Sequence, residues 1–193
     1  MNDIKTIVFH KNTIEFVTVA VQYCSFLEQS ETMQRKDFID VSLKLLPLLY
    51  LKASLLPPCQ PLGDEVVEQF VQEDDYEVIQ LTIAGILKDR NDYLDVFLSD
   101  MKYSDTPINC TISEDLTDIY QDIKNFISVY RLGLESTMYE SLVVCEESFA
   151  LYWGQKLVNT LRALHDAKYA FHSADEVDEK DLDDLEEEED KCL

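Results

Sequence analysis

The sequence contains very little glycine and proline. Only 4 of its 193 residues are Gly and 5 are Pro, whereas these two types together average roughly 12% of residues in globular proteins. A fold made of many tight turns is therefore not expected. The scarcity of glycine also argues against enzymes that depend on glycine-rich loops, because no P-loop, GxGxxG or GxSxG motif occurs in the chain.

The sequence also contains few basic residues. The chain has 16 Lys and Arg against 39 Asp and Glu, a formal net charge of −23, while 46% of its residues are hydrophobic and can build a core. Nucleic acids and anionic membranes are also negatively charged and would repel this chain at long range. Direct binding to either is therefore not expected, and the natural complement is a basic partner protein.

The sequence also lacks the usual features of a secreted or membrane-spanning protein. Its five cysteines are widely spaced and form no CxxC motif, a pattern typical of a reducing compartment. The first residues show no basic segment followed by an apolar run. The longest uncharged stretch, Phe16 to Leu27, is too short to cross a hydrocarbon layer of roughly 30 Å. We expect a cytoplasmic protein.

Hydrophobic residues recur at spacings of three and four along most of the chain. This periodicity predicts an all-α fold, a single-domain helical bundle of about six or seven helices over residues 1–172. The clearest helices run from about Asn12 to Gln29, from Lys36 to Leu55 and from Ser113 to Leu132. A short helix is predicted between Asp64 and Val71.

Several local details follow from the same pattern. Asn12 and Ser113 are predicted to cap the helices that they precede, and the polar segment from Lys102 to Ile112 is predicted to be a surface loop. The last long helix begins near Ser136 and carries apolar residues on two opposite sides, so we expect it to be central. The second of these sides holds Val144, Leu151 and Val158. Gly154 within this helix allows either the close approach of a neighbour or a local bend.

The composition changes after His172. Residues 173–193 contain 12 acidic and 2 basic residues, a net charge of −10, which leaves −13 for residues 1–172. Such a segment cannot bury enough apolar surface to offset the entropy lost on ordering. We therefore expect residues 173–193 to form a disordered acidic tail.

Three aspartates are the strongest candidates for chemistry. Asp115, Asp118 and Asp122 follow one another at steps of three and four, so they lie along one side of a helix. Hard cations such as Mg²⁺ bind oxygen ligands in arrays of this kind. On a helical wheel, however, their mean direction lies about 130° from the apolar face of the same helix. That placement favours a solvated face without a metal, with a Mg²⁺ site as the alternative.

A catalytic metal would need further ligands from a second helix. The Glu146–Glu147 pair or the region of His165 could supply them, and helical nucleotide pyrophosphohydrolases build magnesium sites from paired acidic motifs. The nearest pieces of that pattern are Glu65-x-x-Glu68 and Asp92-x-x-Asp95. Such pieces are common in a chain with this many acids, so a metal-dependent hydrolase is kept as an alternative function.

Lys156 follows the only tryptophan, Trp153, and lies on nearly the same helix face as Phe149 and Tyr152. A lysine on a core face is costly unless it is paired or reaches water. We therefore predict that Lys156 pairs with one of the aspartates and ties two helices together. A polar pocket with a function of its own is the alternative.

Residues 114–124 and 153–165 resemble the corresponding stretches of an uncharacterised bacterial family of all-helical proteins, a domain of unknown function. The similarity extends from the first helix to about His165. It implies a bacterial cytoplasmic protein and carries over no activity. Together with the pairing argument for Lys156, it draws attention to one candidate polar surface. This surface comprises Asp115, Asp118, Asp122, Trp153, Gln155, Lys156, Asn159, Arg162 and His165.

The negative charge of the chain and its lack of catalytic motifs predict a non-enzymatic interaction or adaptor module that binds a basic partner protein. The alternative is a metal-dependent hydrolase of a nucleotide or phosphate ester, centred on the three aspartates. No cofactor is predicted apart from the weak candidate site for Mg²⁺.

Overall fold

The structure, a computed structural model, describes residues 4–63, 67–95 and 108–169. Within these ranges the chain forms seven α-helices and one two-stranded hairpin. In chain order they are α1 (Ile4–Val8), α2 (Lys11–Glu28), α3 (Arg35–Ser54), α4 (Glu73–Leu87), β1 (Asp92–Asp95), β2 (Ile108–Thr111), α5 (Ile112–Tyr130), α6 (Glu135–Ser148) and α7 (Gly154–Tyr169). The prediction of an all-α fold is confirmed, apart from the small hairpin. The predicted acidic tail lies outside the described residues.

A π-helical turn, Phe149–Trp153, joins α6 to α7, so that residues 135–169 form one continuous rod. The backbone N–H of Gly154 donates to the carbonyl oxygen of Phe149, five residues earlier. A Cβ atom at Gly154 would lie 2.4 Å from that oxygen, closer than van der Waals contact permits. The close approach at Gly154 therefore comes from Phe149 of the same rod and not from a neighbouring element.

The centre of the bundle is α5, which packs against α2, α4, α6 and α7. The expectation that the last helix is central is therefore wrong. The rod packs against α1, α3 and α5, but the residues predicted to form its second packed side are exposed: Val144, Leu151 and Val158.

Two predicted helix caps are displaced from the caps in the structure. His10 caps α2 in place of Asn12, because its Nδ1 accepts a 3.2 Å hydrogen bond from the backbone N–H of Asn12. Thr111 caps α5 in place of Ser113, and its side-chain oxygen accepts from the backbone N–H of Glu114. Both helices begin earlier than the sequence pattern indicated.

The hairpin is the main departure from the predicted architecture. Asp92 pairs with Thr111 and Asp95 with Ile108 in an antiparallel register. The predicted loop from Lys102 to Ile112 therefore ends in a strand and in the first residue of α5, and the rest of that loop lies outside the described residues. The hairpin places the end of β1 beside α7, next to the polar groups described below.

The predicted short helix between Asp64 and Val71 is wrong where the structure describes it. Residues 67–71 are not helical. Phe70 and Val71 both donate their backbone N–H groups to Oδ1 of Asn125 on α5, at 2.7 and 2.9 Å. These bonds satisfy amides that would otherwise need helical or solvent partners, and they hold this segment against the bundle.

Candidate functional site

A cluster of charged and hydroxyl groups lies where α5 meets α7. The Lys156 ammonium nitrogen is 2.8 Å from Oδ1 of Asp115 and 2.8 Å from Oδ2 of Asp118. The prediction that Lys156 pairs with an aspartate and ties two helices together is confirmed. We call this group the Lys156 cluster, which comprises Asp115, Asp118 and Lys156 with the hydrogen-bond partners Tyr76, Tyr93, Tyr152 and Thr160.

Asp115 is the most buried charged member of the cluster, with 4% of its surface exposed. Its Oδ2 accepts hydrogen bonds from the Tyr93 hydroxyl on β1 and from the Thr160 hydroxyl on α7, the latter at 3.2 Å. The expectation of a solvated aspartate face is wrong here. On a helical wheel α5 has one apolar side, but in the structure α5 is packed on several sides.

Asp118 joins two further elements to the cluster. Its Oδ1 accepts a 2.7 Å hydrogen bond from the Tyr76 hydroxyl of α4, and its Oδ2 accepts another of 2.7 Å from the Tyr152 hydroxyl of the π-helical turn. The two carboxylates together therefore contact α4, β1 and the α6–α7 rod. Buried charges are tolerated only when they are paired and hydrogen-bonded, and both conditions are met.

The environment fixes the protonation states of these groups at neutral pH. Burial alone would lower the pKa of Lys156, but its hydrogen bonds to Asp115 and Asp118 outweigh this effect and raise the pKa above its usual value. Burial and the hydrogen bond to Asp118 raise the pKa of Tyr152 to about 12. At neutral pH Lys156 is therefore charged and Tyr152 is neutral, so neither has the pKa near 7 that suits a general acid or base.

Asp122 lies apart from Lys156. It accepts a hydrogen bond from the Ser148 hydroxyl at the end of α6. Burial raises the pKa of its carboxyl, the hydrogen bond from Ser148 opposes that shift, and the negative charge of Asp118 adds to it. Asp122 therefore links α5 to α6 and is not part of the Lys156 cluster.

A polar row along α7 holds the hairpin. The Gln155 side-chain amide donates to the Asn159 side chain at 3.0 Å, and Asn159 donates to Asp95 on β1 at 3.4 Å. The guanidinium of Arg162 donates to the carbonyl oxygen of Leu94 at 3.0 Å. Asn159 and Arg162 therefore bind the hairpin directly, and Gln155 contacts Asn159.

Trp153 and His165 do not join this surface. Trp153 is fully buried in the core, where its indole N–H donates to the carbonyl oxygen of Cys145 at 3.3 Å. His165 is exposed and its ring packs against that of Tyr169. The Glu146 carboxylate accepts a backbone hydrogen bond from the loop after α3. Neither His165 nor Glu146 is therefore placed as a second metal ligand.

Over residues 4–63, 67–95 and 108–169, no group of three or more His, Cys, Asp or Glu side chains is arranged to hold a metal ion. The cation between Asp115 and Asp118 is the Lys156 ammonium. This arrangement can fix the relative positions of helices, and it offers no open coordination position beside these carboxylates.

Sequence reasoning missed four members of the cluster. Tyr152 and Thr160 lie four residues before and after Lys156, so the i, i+4 spacing on one helix face could have indicated them. Tyr76 and Tyr93 come from elements distant in sequence. No local pattern could have connected these two residues with Asp118 and Asp115.

Comparisons with known proteins agree with the expected family. The family model described as "Domain of unknown function (DUF5063)" matches residues 7–170. The crystal structure of protein BF1032 from Bacteroides fragilis is similar to this chain, with 53% sequence identity and a TM-score of 0.77, over 86% of this chain and 98% of that one. No curated protein matches significantly. The resemblance to a bacterial family of unknown function is confirmed.

Proposed function

We propose that this chain, which belongs to the family described as "Domain of unknown function (DUF5063)", is a non-enzymatic interaction module that binds a basic partner protein. One observation carries the proposal. The carboxylates best placed for chemistry, Asp115 and Asp118, both pair with Lys156 and accept hydrogen bonds from hydroxyl groups of the bundle. The excess negative charge that could act on another molecule therefore lies elsewhere.

Much of that excess lies in residues 173–193, which carry −10 of the total −23. The first turn of α4 adds exposed carboxylates at Glu73, Asp74 and Asp75. A basic protein is complementary to such charge, whereas nucleic acid would be repelled. Among the described helices none is long and apolar enough to span a membrane. On this proposal the protein works in the cytoplasm.

The test compares three forms of the full protein as immobilised bait in a bacterial extract. They are the native chain, a chain lacking residues 173–193, and a chain whose tail keeps its length but has its Asp and Glu replaced by Asn and Gln. Proteins retained by the native bait are purified and titrated against each form. We expect a basic protein that binds only the native chain and is released at about 0.5 M salt, where exposed charges are strongly screened. Binding that survives both the high salt and the tail changes would overturn the proposal.

The alternative, a metal-dependent hydrolase, is favoured by one observation. The π-helical turn at Phe149–Trp153 lies directly beside the Lys156 cluster, to which it contributes Tyr152, and π-helical turns are frequent at functional sites. For a metal to bind between the two aspartates, Lys156 would have to leave. Calorimetry with divalent ions distinguishes the two functions.

A further inference from the structure

The outer face of α4 carries a stripe that no described element covers. The inner face packs on α5 through Ile79, Ile83 and Leu87. Four outer residues of α4 are all exposed and follow one another at steps of four, three and four: Asp74, Val78, Leu81 and Gly85. This is the spacing of a helix seam that packs against another helix. Exposed Lys88 comes directly after the end of the helix. Val78 and Leu81 are each 63% exposed.

No contact among the described residues explains why position 85 is a glycine. It lies inside a regular helix, where glycine is destabilising relative to alanine. A Cβ atom built at Gly85 would meet nothing within 4 Å. Neither a tight turn nor a close internal contact therefore requires this glycine. Its missing side chain leaves space outside the molecule, next to Leu81 one turn earlier.

Two grooves flank the stripe and could receive side chains from a second helix. One has a volume of about 650 Å³ and is lined by Met33, Leu81, Gly85 and Ile86 among others. The other, of about 390 Å³, is lined by residues that include Phe70 and Val78. The exposed residues of the stripe form a ridge between the two grooves. Helices pack by fitting such ridges into the grooves of a partner helix.

The charges on this face are self-complementary in an antiparallel arrangement. The first turns of α4 carry Glu73, Asp74 and Glu77, all exposed, and the opposite end carries exposed Lys88. The Lys88 ammonium makes no salt bridge with any residue that the structure describes. Lys88 also has a φ of +51°, a conformation that favours glycine.

We propose that the outer face of α4 is the interface with a second copy of this chain, packed antiparallel about a two-fold axis. Leu81 then lies over Gly85 of the partner subunit, and the symmetry repeats the same contact. The pairing brings Glu77 close to the partner subunit's Lys88. In this arrangement Leu81 contacts the backbone at Gly85 of the partner subunit, and a carboxylate meets an ammonium group at each end of the interface. Each contact occurs twice, as in any isologous interface.

The first test measures the mass of the full chain in solution by sedimentation equilibrium over a range of concentrations. We expect a dimer whose dissociation constant rises about thirtyfold or more in Leu81→Glu, because a central contact of this kind contributes strongly. The control is Leu151→Glu, the same change at a leucine that is 86% exposed on the rod, and it leaves the dimer intact. A native chain that is monomeric throughout, or an unaffected Leu81→Glu dimer, would overturn the proposal.

A second test separates association from folding. Gly85→Leu adds a better helix former but fills the space that Leu81 of the partner subunit occupies, so we expect a folded, helical monomer by circular dichroism and sedimentation. Lys88→Glu and Glu77→Lys are each expected to weaken the dimer, and the double variant restores it. Failure of the double variant to recover association would contradict the antiparallel register. Neither test changes residues 173–193, so a failure of the dimer can be distinguished from a failure of the proposed function.

Discussion

The ammonium nitrogen of Lys156 on α7 lies 2.8 Å from Oδ1 of Asp115 on α5. This buried pair joins the rod to the central helix, and the hydroxyl groups of Tyr93 and Thr160 satisfy the second oxygen of the same carboxylate. The charged contact thus helps to fix the relative position of two helices in addition to their apolar packing. The Lys156–Asp115 pair stabilises the fold only when both charged side chains are present.

Replacing Lys156 by methionine tests this dependence. The variant keeps most of the side-chain volume but leaves Asp115 and Asp118 buried without a cation. Breaking a buried pair from one side costs about 3–5 kcal/mol. We expect a loss of that size in the free energy of unfolding, measured by urea denaturation at pH 7.

Lys168→Met is the matched control. Lys168 pairs with Asp40 between α7 and α3, where both side chains are about one-third exposed. Solvent-exposed ion pairs contribute little to stability, so we expect a much smaller loss than in Lys156→Met. Equal losses in the two methionine variants would show that the Lys156 pair is no stronger than an exposed one.

The π-helical turn gives a second prediction, in which one substitution has opposite effects at two helical glycines. Gly154→Ala places a Cβ atom 2.4 Å from the carbonyl oxygen of Phe149, and we expect overpacking to cost about 1–3 kcal/mol. Gly85→Ala meets open space and should stabilise the fold by about 0.5–1 kcal/mol through helix propensity. Thermal unfolding of dilute protein gives both values. Stabilisation by Gly154→Ala would show that the turn does not need glycine.

Most of the helical architecture could be predicted because it depends on local spacing. The helices that became α2, α3 and α5 were predicted to within a few residues, since each has apolar residues at steps of three and four. The hairpin could not be predicted in this way. Its strands have four residues each, too few to show a pattern, and their pairing depends on a contact between segments separated along the chain.

The candidate site could be predicted only in part, for a related reason. A lysine on an apolar helix face must find a partner, which is why the pairing of Lys156 was predicted. The burial of Asp115 was not, because a helical wheel cannot show that α5 is covered on several sides. The hydroxyl partners Tyr76 and Tyr93 come from other elements, so only the folded chain brings them to the carboxylates.

Asp122 gives a prediction about pH. Burial raises the pKa of its carboxyl, and the hydrogen bond from Ser148 offsets this only partly. Because the folded-state pKa lies above the unfolded one, the ionised group destabilises the fold at neutral pH, and this penalty disappears as the pH falls through the folded pKa. Asp122→Asn removes the charge and keeps an oxygen that can accept from Ser148.

We therefore expect Asp122→Asn to be more stable than the native chain at pH 7 by about 1 kcal/mol, the usual scale of a single substitution. The difference should shrink as the pH approaches 4. Glu15 and Asp40, whose pKa values are lowered mainly by hydrogen bonds to Lys52 and Lys168, lose stabilisation over the same range in both proteins and cancel in the comparison. A difference in unfolding free energy that does not change with pH would contradict the prediction.

Titration with divalent ions decides between the two candidate functions. Mg²⁺ requires several oxygen ligands in near-octahedral geometry. Asp115 and Asp118 could provide two of them only after losing Lys156 and the hydroxyl donors. Calorimetry of the native chain with Mg²⁺ and Mn²⁺ is therefore expected to give no binding heat at millimolar ion. Asp118→Asn is the control: heat that appears in the native chain and vanishes in this variant would locate an ion in the Lys156 cluster and favour the hydrolase. Heat that persists in the variant belongs to carboxylates outside the cluster and leaves the charged pair intact.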